Sequence, residues 1–309
     1  MSNQSITVFT ATYNRKNKLL RAYKSLLGQT SKDFIWLIVD DGSTDGTEDL
    51  VKSFILEADF PIEYHWKENG GRHTAVNYSH SFISTPYVVS LDSDDELTPN
   101  AIELMIKRWN EISENEYDRF WCVSGRDADA VTGTMVGDPY PIGINHLHGR
   151  KQRKALYKIR GEKHCCRKSE IYKQYKFPEY EDTKFVLEST VWERINHKYD
   201  QYCVNDIFGF YYTDSEDSLG KGTTHKSTRH KTFYYASLYY VNELFEDLFI
   251  NPRVCKYIIN LSRCAMLCRI PFITVMRSVN AWYKRIIVVL GYPISFIWIL
   301  LHGGKNSKN

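Results

Sequence analysis

Along the first third of the chain, short apolar runs alternate with stretches in which apolar positions recur every three or four residues. Ile6–Thr12 is strand-like, and Leu19, Leu20, Tyr23, Leu26 and Leu27 then fall on one helical face. Phe34–Val39 is an unbroken apolar run of strand length, as expected of a strand buried on both faces. Ser43 and Thr44 stand where a helix N-cap is expected, ahead of a face made by Leu50, Val51, Phe54 and Ile55. Ile62–Trp66 predicts a third strand, Thr74–Ile83 a helix, and Tyr87–Leu91 a fourth strand. Thr98 and Pro99 read as the N-cap and first residue of a helix over Asn100–Asn110. This alternation predicts an α/β fold with a doubly wound, mostly parallel sheet. Residues 115–250 are less regular and read as the second half of the same domain, with long loops lining a site.

In such sheets, ligands bind beyond the carboxyl ends of the strands. Four polar clusters fall there: Thr10–Arg15, Asp40–Asp45, Asn69–Asn77 and Asp92–Asp95. Asp92 and Asp94 stand at i and i+2 on a turn leaving a strand, and hard cations such as Mn²⁺ or Mg²⁺ take such carboxylates together with phosphate oxygens. Asp40 and Asp41, followed by Gly42, suit a tight turn or an acceptor pair for nucleobase and ribose donors. Gly70 and Gly71 permit close backbone approach to a phosphate, the following helix N-terminus favours anions, and Arg72 adds a charge-assisted donor. Each cluster taken singly also reads as an ordinary turn or helix start. Their convergence on one sheet edge carries the argument. A Gly-rich loop after the first strand, expected of a nucleotidylyltransferase or a dinucleotide-binding dehydrogenase, is absent.

Charge changes the picture at the C-terminus. Asp247 is the last acidic residue, and nine of the 40 Lys+Arg follow it, leaving 31 against 37 Asp+Glu in residues 1–247. The body is thus net acidic and the tail strongly basic. Val254–Arg285 mixes apolar residues with regularly placed Lys and Arg, as in a helix lying on an anionic membrane surface. Ile286–Leu301 is apolar but short, and interrupted by Gly291 and Pro293; an interfacial or re-entrant segment is expected, with a single short span or a packed helical hairpin as alternatives. This apolar density argues against nucleic acid as the partner. The expected division is therefore 1–247, a catalytic domain, and 248–309, a membrane-associating tail. The N-terminus lacks a basic-then-apolar leader pattern, so the body is expected in the cytoplasm, peripheral to the inner face of the membrane. The seven cysteines, among them Cys165 and Cys166 beside His164 and the Cys264/Cys268 pair, lack zinc-like spacing and read as buried thiols.

Taken in order, TATYNR at Thr10–Arg15, VDDGSTD at Val39–Asp45, Gly70 and Gly71 with Ala75 and Asn77, and LDSDD at Leu91–Asp95 resemble the motifs of family 2 glycosyltransferases. The likeness is strong over residues 5–110 and weakens towards residue 215. It implies a GT-A fold and transfer of a sugar from a nucleotide-diphosphate donor, commonly a UDP-sugar, with inversion. It also implies a glycan or lipid-linked acceptor in surface polysaccharide synthesis. Tyr13 and Asp41 match positions that hold the base, Asp92 the acid near the ribose, and Asp94 the metal-binding acid; Ala11, Asn14, Gly71, Arg72 and Ser93 complete the implied donor set. Ala11 departs from a proline frequent in the family, and the departure is expected to affect a turn. The implied base that takes the acceptor proton is Glu188, framed by Trp192 and Arg194, with Glu181 or Asp182 as alternatives. A motif of processive synthases, Gln/Arg-x-x-Arg-Trp, is absent, which implies one sugar per binding event. The non-enzymatic alternative is an inactive glycosyltransferase-like scaffold.

Overall fold

The structure is a computed structural model that describes residues 4–212, 226–249 and 255–303. Its N-terminal elements are β1 (Ile6–Thr12), α1 (Lys16–Leu27), β2 (Phe34–Asp40), α2 (Thr47–Glu57), β3 (Ile62–Trp66), α3 (Arg72–Ser79), β4 (Tyr87–Ser90), the two-residue β5 (Glu96–Leu97) and α4 (Ala101–Asn110). There follow α5 (Glu114–Tyr117), β6 (Phe120–Asp129), α6 (Arg150–Leu156), β7 (His164–Lys168), α7 (Ser169–Gln174), α8 (Ser189–Lys198) and β8 (Asp200–Tyr211). The last helices are α9 (Lys226–Glu243), α10 (Cys255–Leu267), α11 (Phe272–Ser278) and α12 (Trp282–Gly303).

All eight strands join one sheet in the order β3-β2-β1-β4-β7-β6-β8-β5. The pairings β3–β2, β2–β1, β1–β4 and β6–β8 are parallel, whereas β4–β7, β7–β6 and β8–β5 are antiparallel. The expected parallel half is therefore present, and the remainder is mixed. Residues 115–250, expected to be less regular, contain the long strands β6 and β8. Every residue of β2 is buried, as its unbroken apolar run requires. Packed against that face are Leu19, Tyr23 and Leu26 of α1 and Val51 and Phe54 of α2, with the Tyr23 and Phe54 rings stacked at 3.9 Å.

Three helix starts differ from expectation. Helix α2 is capped by Gly46 in the left-handed region (φ 82°), and the Asp45 carboxylate accepts from Thr47 N and Oγ1 at 3.1 and 2.6 Å. Ser43 and Thr44 are drawn away to Asn14, as described below. Helix α4 begins at Ala101, after Pro99, because Thr98 Oγ1 donates to the carbonyl of Ile207 in β8 at 2.9 Å. Helix α3 begins at Arg72, two residues earlier than expected, behind Gly71 at φ 96°.

The chain separates into two compact units, Met1–Phe177 with Val191–Asp217, and Pro178–Thr190 with Ser218–Asn309. The expected boundary at 247/248 is thus displaced, because Tyr234 and Val241 of α9 share an apolar core with Ile258, Leu261 and Val288 of α10 and α12. Helix α12 runs unbroken through Gly291 and Pro293. Gly291 leaves room where a Cβ would meet Ser262 Oγ of α10 at 3.1 Å, and Ser262 and Ser295 hydroxyls bond at 2.8 Å. The outer face of α12 carries exposed Ile286, Leu290, Ile294, Ile297 and Leu301. Trp282–His302, 21 residues with mean hydropathy 1.8, is long and apolar enough to cross a membrane, by length and composition. The seven cysteines are all free thiols; Cys255 is exposed, contrary to the expectation that all are buried.

Candidate active site

Parallel register brings the first four polar clusters to one edge of the first unit, since Thr12 is opposite Asp40, Asp40 opposite Trp66, and Phe9 opposite Ser90. The loop after β1 docks on the loop after β2. Asn14, in the left-handed region at φ 49°, donates from its backbone N to Ser43 Oγ and accepts from Thr44 N, each at 2.8 Å. Lys16 N donates to Asp45 Oδ2 at 2.9 Å. This brace leaves the Tyr13 ring 48% exposed at the edge, available to a planar ligand. Ala11 lies within β1, paired with Val39, so its departure from proline falls in a strand and not in a turn.

Asp41 is buried and its carboxylate is saturated. Oδ1 accepts from Lys67 Nζ at 2.7 Å and Gly70 N at 3.0 Å; Oδ2 accepts from Gly71 N at 2.7 Å and Asn69 Nδ2 at 3.2 Å. The two glycine N–H groups expected to approach a phosphate therefore point at this carboxylate. The anion at the start of α3 is the protein's own, held as helix N-termini hold anions. The approach is close, since a Cβ on Gly70 would meet Thr74 Oγ1 at 2.6 Å and one on Gly42 (φ +90°) would meet Asn69 N at 2.9 Å. Asp40 is also engaged, accepting from Ser43 N and Tyr64 OH, each at 2.7 Å.

The acids of the Asp92–Asp95 turn each face a cation or a burial cost. Arg72 Nη2 donates to Asp92 Oδ1 at 2.7 Å, and that guanidinium holds the Asp92 carboxyl below its usual range. Arg15 Nη1 donates to Asp94 Oδ2 at 2.8 Å, and Arg21 Nη1 to the Asp94 carbonyl at 2.7 Å. Ser93 between them is buried. Burial, followed by repulsion from Asp92, pushes Asp95 up to about 7, and its Oδ1 accepts from Tyr212 N at 3.1 Å. Arg15, Arg21 and Lys67 were not singled out in the sequence; Arg15 closes the first motif and was the one with a positional signal.

The Asp92/Asp94 pair has the oxygen chemistry that a hard divalent cation takes, and such a cation would have to displace the arginine each carboxylate now faces. Two carboxylates on one turn would supply the one or two protein ligands that such an ion combines with phosphate oxygens. Among the described residues no three His, Cys, Asp or Glu converge as a ligand set, so the remaining positions would be filled by substrate and water.

Glu188 belongs to the second unit, half-buried directly ahead of α8. A small cavity beside it is lined by Tyr180, Phe185, Leu187 and Tyr235, with the two tyrosine rings stacked at 3.7 Å. Of the alternatives, Asp182 is engaged by Lys231 Nζ and Tyr235 OH of α9, each at 3.0 Å, and Glu181 is exposed. Of the expected site residues, Ala11, Tyr13, Asn14, Asp41, Gly71, Arg72, Asp92, Ser93 and Asp94 all lie in the first unit.

The model of the Glycosyl transferase family 2 matches residues 7–177, more than half of the chain. An uncharacterized glycosyltransferase of Rickettsia conorii is 38% identical over 146 residues, 46% of this chain and 24% of that protein. The teichoic acid poly(glycerol phosphate) polymerase of Staphylococcus epidermidis is 33% identical over 106 residues, 34% of this chain and 15% of that protein. The chain thus spans a quarter or less of the length of these two relatives. Among solved structures, S. aureus TarS 1–349 in complex with UDP-GlcNAc aligns with a TM-score of 0.59 at 13% identity, covering 94% of this chain and 90% of that one. That likeness is one of fold, and it is the GT-A arrangement expected from the motifs. With the family model spanning the four motif loops and their sheet edge, the chain belongs to glycosyl transferase family 2.

Proposed function

We propose that this glycosyltransferase moves a single sugar, with inversion, from a nucleotide-diphosphate sugar to a hydroxyl of a glycan or lipid-linked acceptor in cell-surface polysaccharide synthesis. The donor of choice is a UDP-sugar, in keeping with the UDP-GlcNAc complex of the TarS fold relative. The observation that carries the reading is the meeting of four motif loops at one sheet edge, with Asp92 and Asp94 on one turn facing arginines. Tyr13 offers its exposed ring to the base, Asp41 fixes the loop around the nucleotide, and Asp92 and Asp94 would hold Mn²⁺ or Mg²⁺. When bound, that ion supplies positive charge to the leaving diphosphate. Arg15 and Arg72, released from the two carboxylates by a competing cation, would turn their guanidinium forks to the phosphates. Glu188 takes the proton of the acceptor hydroxyl as it attacks the anomeric carbon. The basic, apolar C-terminal helices hold the enzyme at an anionic membrane surface on the cytoplasmic side, with no role for nucleic acid.

The test is Mn²⁺-dependent binding and hydrolysis or transfer across a panel of UDP- and GDP-sugars, with wild type beside Asp94→Asn. Metal-dependent binding and turnover of one donor, lost in the variant, supports the reading. A wild-type protein that binds no nucleotide under any metal condition would favour the inactive scaffold instead.

A further inference from the structure

The same sheet edge carries a second constellation that the donor motifs do not include. The antiparallel ladder sets Val89 of β4 opposite Cys166 of β7 and Gly125 of β6 opposite His164. Continuing that register brings His164 beside Leu91, one residue before Asp92. His164 Nδ1 bonds Asp127 Oδ1 at 2.9 Å, with the two side chains only 13% and 14% exposed. The opposite ring nitrogen, Nε2, is buried and has no hydrogen-bond partner. An unsatisfied buried ring nitrogen costs free energy unless a ligand completes it. The pair also has a space made for it: a Cβ on Gly209 of β8 would meet Asp127 Oδ1 at 2.6 Å and His164 Nδ1 at 2.9 Å.

Surrounding charge narrows the ligand. His164 lies within electrostatic range of Asp92, and Glu162 within range of both Asp92 and Asp127. Arg72 and Arg15 offset the Asp92 and Asp94 charges, and an imidazole with one nitrogen committed to Asp127 can exchange a hydrogen bond with a neutral hydroxyl through the other. His164 also forms no metal-ligand set with the neighbouring acids among the described residues.

We propose that His164, oriented by Asp127, contacts a hydroxyl of the transferred sugar through Nε2, so that this pair reads the sugar and leaves the nucleotide to the other loops. His164 is the contact residue and Asp127 the positioning residue. The inference rests on the nucleotide-sugar reading above, and its test separates the two. Calorimetric titration with Mn²⁺ would compare UDP alone with UDP-glucose, UDP-galactose, UDP-GlcNAc and UDP-GalNAc, on wild type, His164→Ala, His164→Gln, Asp127→Asn and Gly209→Ala. Expected is an unchanged UDP affinity in every variant, with the preferred UDP-sugar weakened about 10- to 100-fold by His164→Ala, in line with loss of one or two buried hydrogen bonds. His164→Gln should recover part of that loss, and Gly209→Ala should reproduce it by displacing the pair. Variants that bind UDP and UDP-sugar as wild type does, or that lose both equally, overturn the assignment to the sugar while leaving the donor site standing. A wild type that binds neither overturns both.

Discussion

Replacing Asp41 separates a loop-organising role from direct contact with the base. Its two carboxylate oxygens accept four bonds, two on each, from Lys67 Nζ, Gly70 N, Gly71 N and Asn69 Nδ2. In Asp41→Asn the amide presents one acceptor and one donor group. Whichever way it turns, its NH₂ faces two of the four donors. Two charge-assisted bonds are lost, at ~1.5–3 kcal/mol each, and Lys67, 18% exposed, loses its counter-charge. The loss is non-additive, so ~3–5 kcal/mol is expected, with Asp41→Ala no less severe. At ~2–4 °C per kcal/mol for a unit of this size, the melting midpoint should fall by about 6–20 °C. The assay is a calorimetric melt beside a titration with UDP and Mn²⁺. The double variant Asp41→Asn/Lys67→Met should regain part of the loss, because it removes the stranded ammonium. A midpoint for Asp41→Asn within about 2 °C of wild type would refute the reasoning; if UDP binding were abolished at the same time, the carboxylate would be addressing the base directly.

Three further outcomes are expected. Glu188→Gln should lower kcat by about 10²–10⁴ with donor affinity unchanged, whereas Asp182→Asn should leave kcat near wild type; the reverse ranking would move the base to Asp182. His80 is buried against the Tyr172 ring at 4.8 Å with neither ring nitrogen bonded, and burial, followed by Lys176 and Lys173, pushes it down to about 4. Its folded pKa lies below the unfolded value of about 6.5, so its contribution is complete above pH 6.5 and falls away towards pH 4, by about 3 kcal/mol in all. His80→Phe should flatten that slope in urea melts at stepped pH, and an unchanged slope would count against it. For the tail, Leu290→Glu with Ile297→Glu should reduce co-sedimentation with phosphatidylglycerol vesicles at least about tenfold, since both sit on the exposed stripe of α12; undiminished sedimentation would mean that another surface binds.

The parallel half of the fold was legible because each of its elements carries its own period. The run Phe34–Val39 predicted β2 to within one residue, and Ile6–Thr12 and Ile62–Trp66 coincide with β1 and β3. Helix starts were less legible, because capping is decided by tertiary competition. Ser43 and Thr44 have the right chemistry to cap α2 but are engaged by Asn14, 30 or so positions away in sequence, and Thr98 is taken by a carbonyl of β8. The mixed half was obscured for a related reason: β6 and β8 interleave Ser, Arg, Asp and Asn with apolar residues, so neither reads as a buried strand until the sheet pairs them. Of the long loops expected between residues 115 and 250, positions 213–225 lie outside the described residues.

The site itself shows what local motifs can and cannot carry. The acids were legible because a turn after a strand is a local feature, and Asp92 and Asp94 needed no partner to be noticed. Their pairing with arginines was not, although Arg72 itself reads in the sequence as a donor to phosphate. Arg15 reaches Asp94 across 79 positions of sequence and Arg72 reaches Asp92 across 20, and only the order of strands in the sheet makes them neighbours. The glycine pair has a partner that the sequence did not disclose. Gly70 and Gly71 form the anion-receptive start of a helix, and the fold supplies an anion of its own there in Asp41, which braces two loops. A saturated carboxylate of this kind stabilises the edge on which Tyr13, Asp92 and Asp94 are displayed.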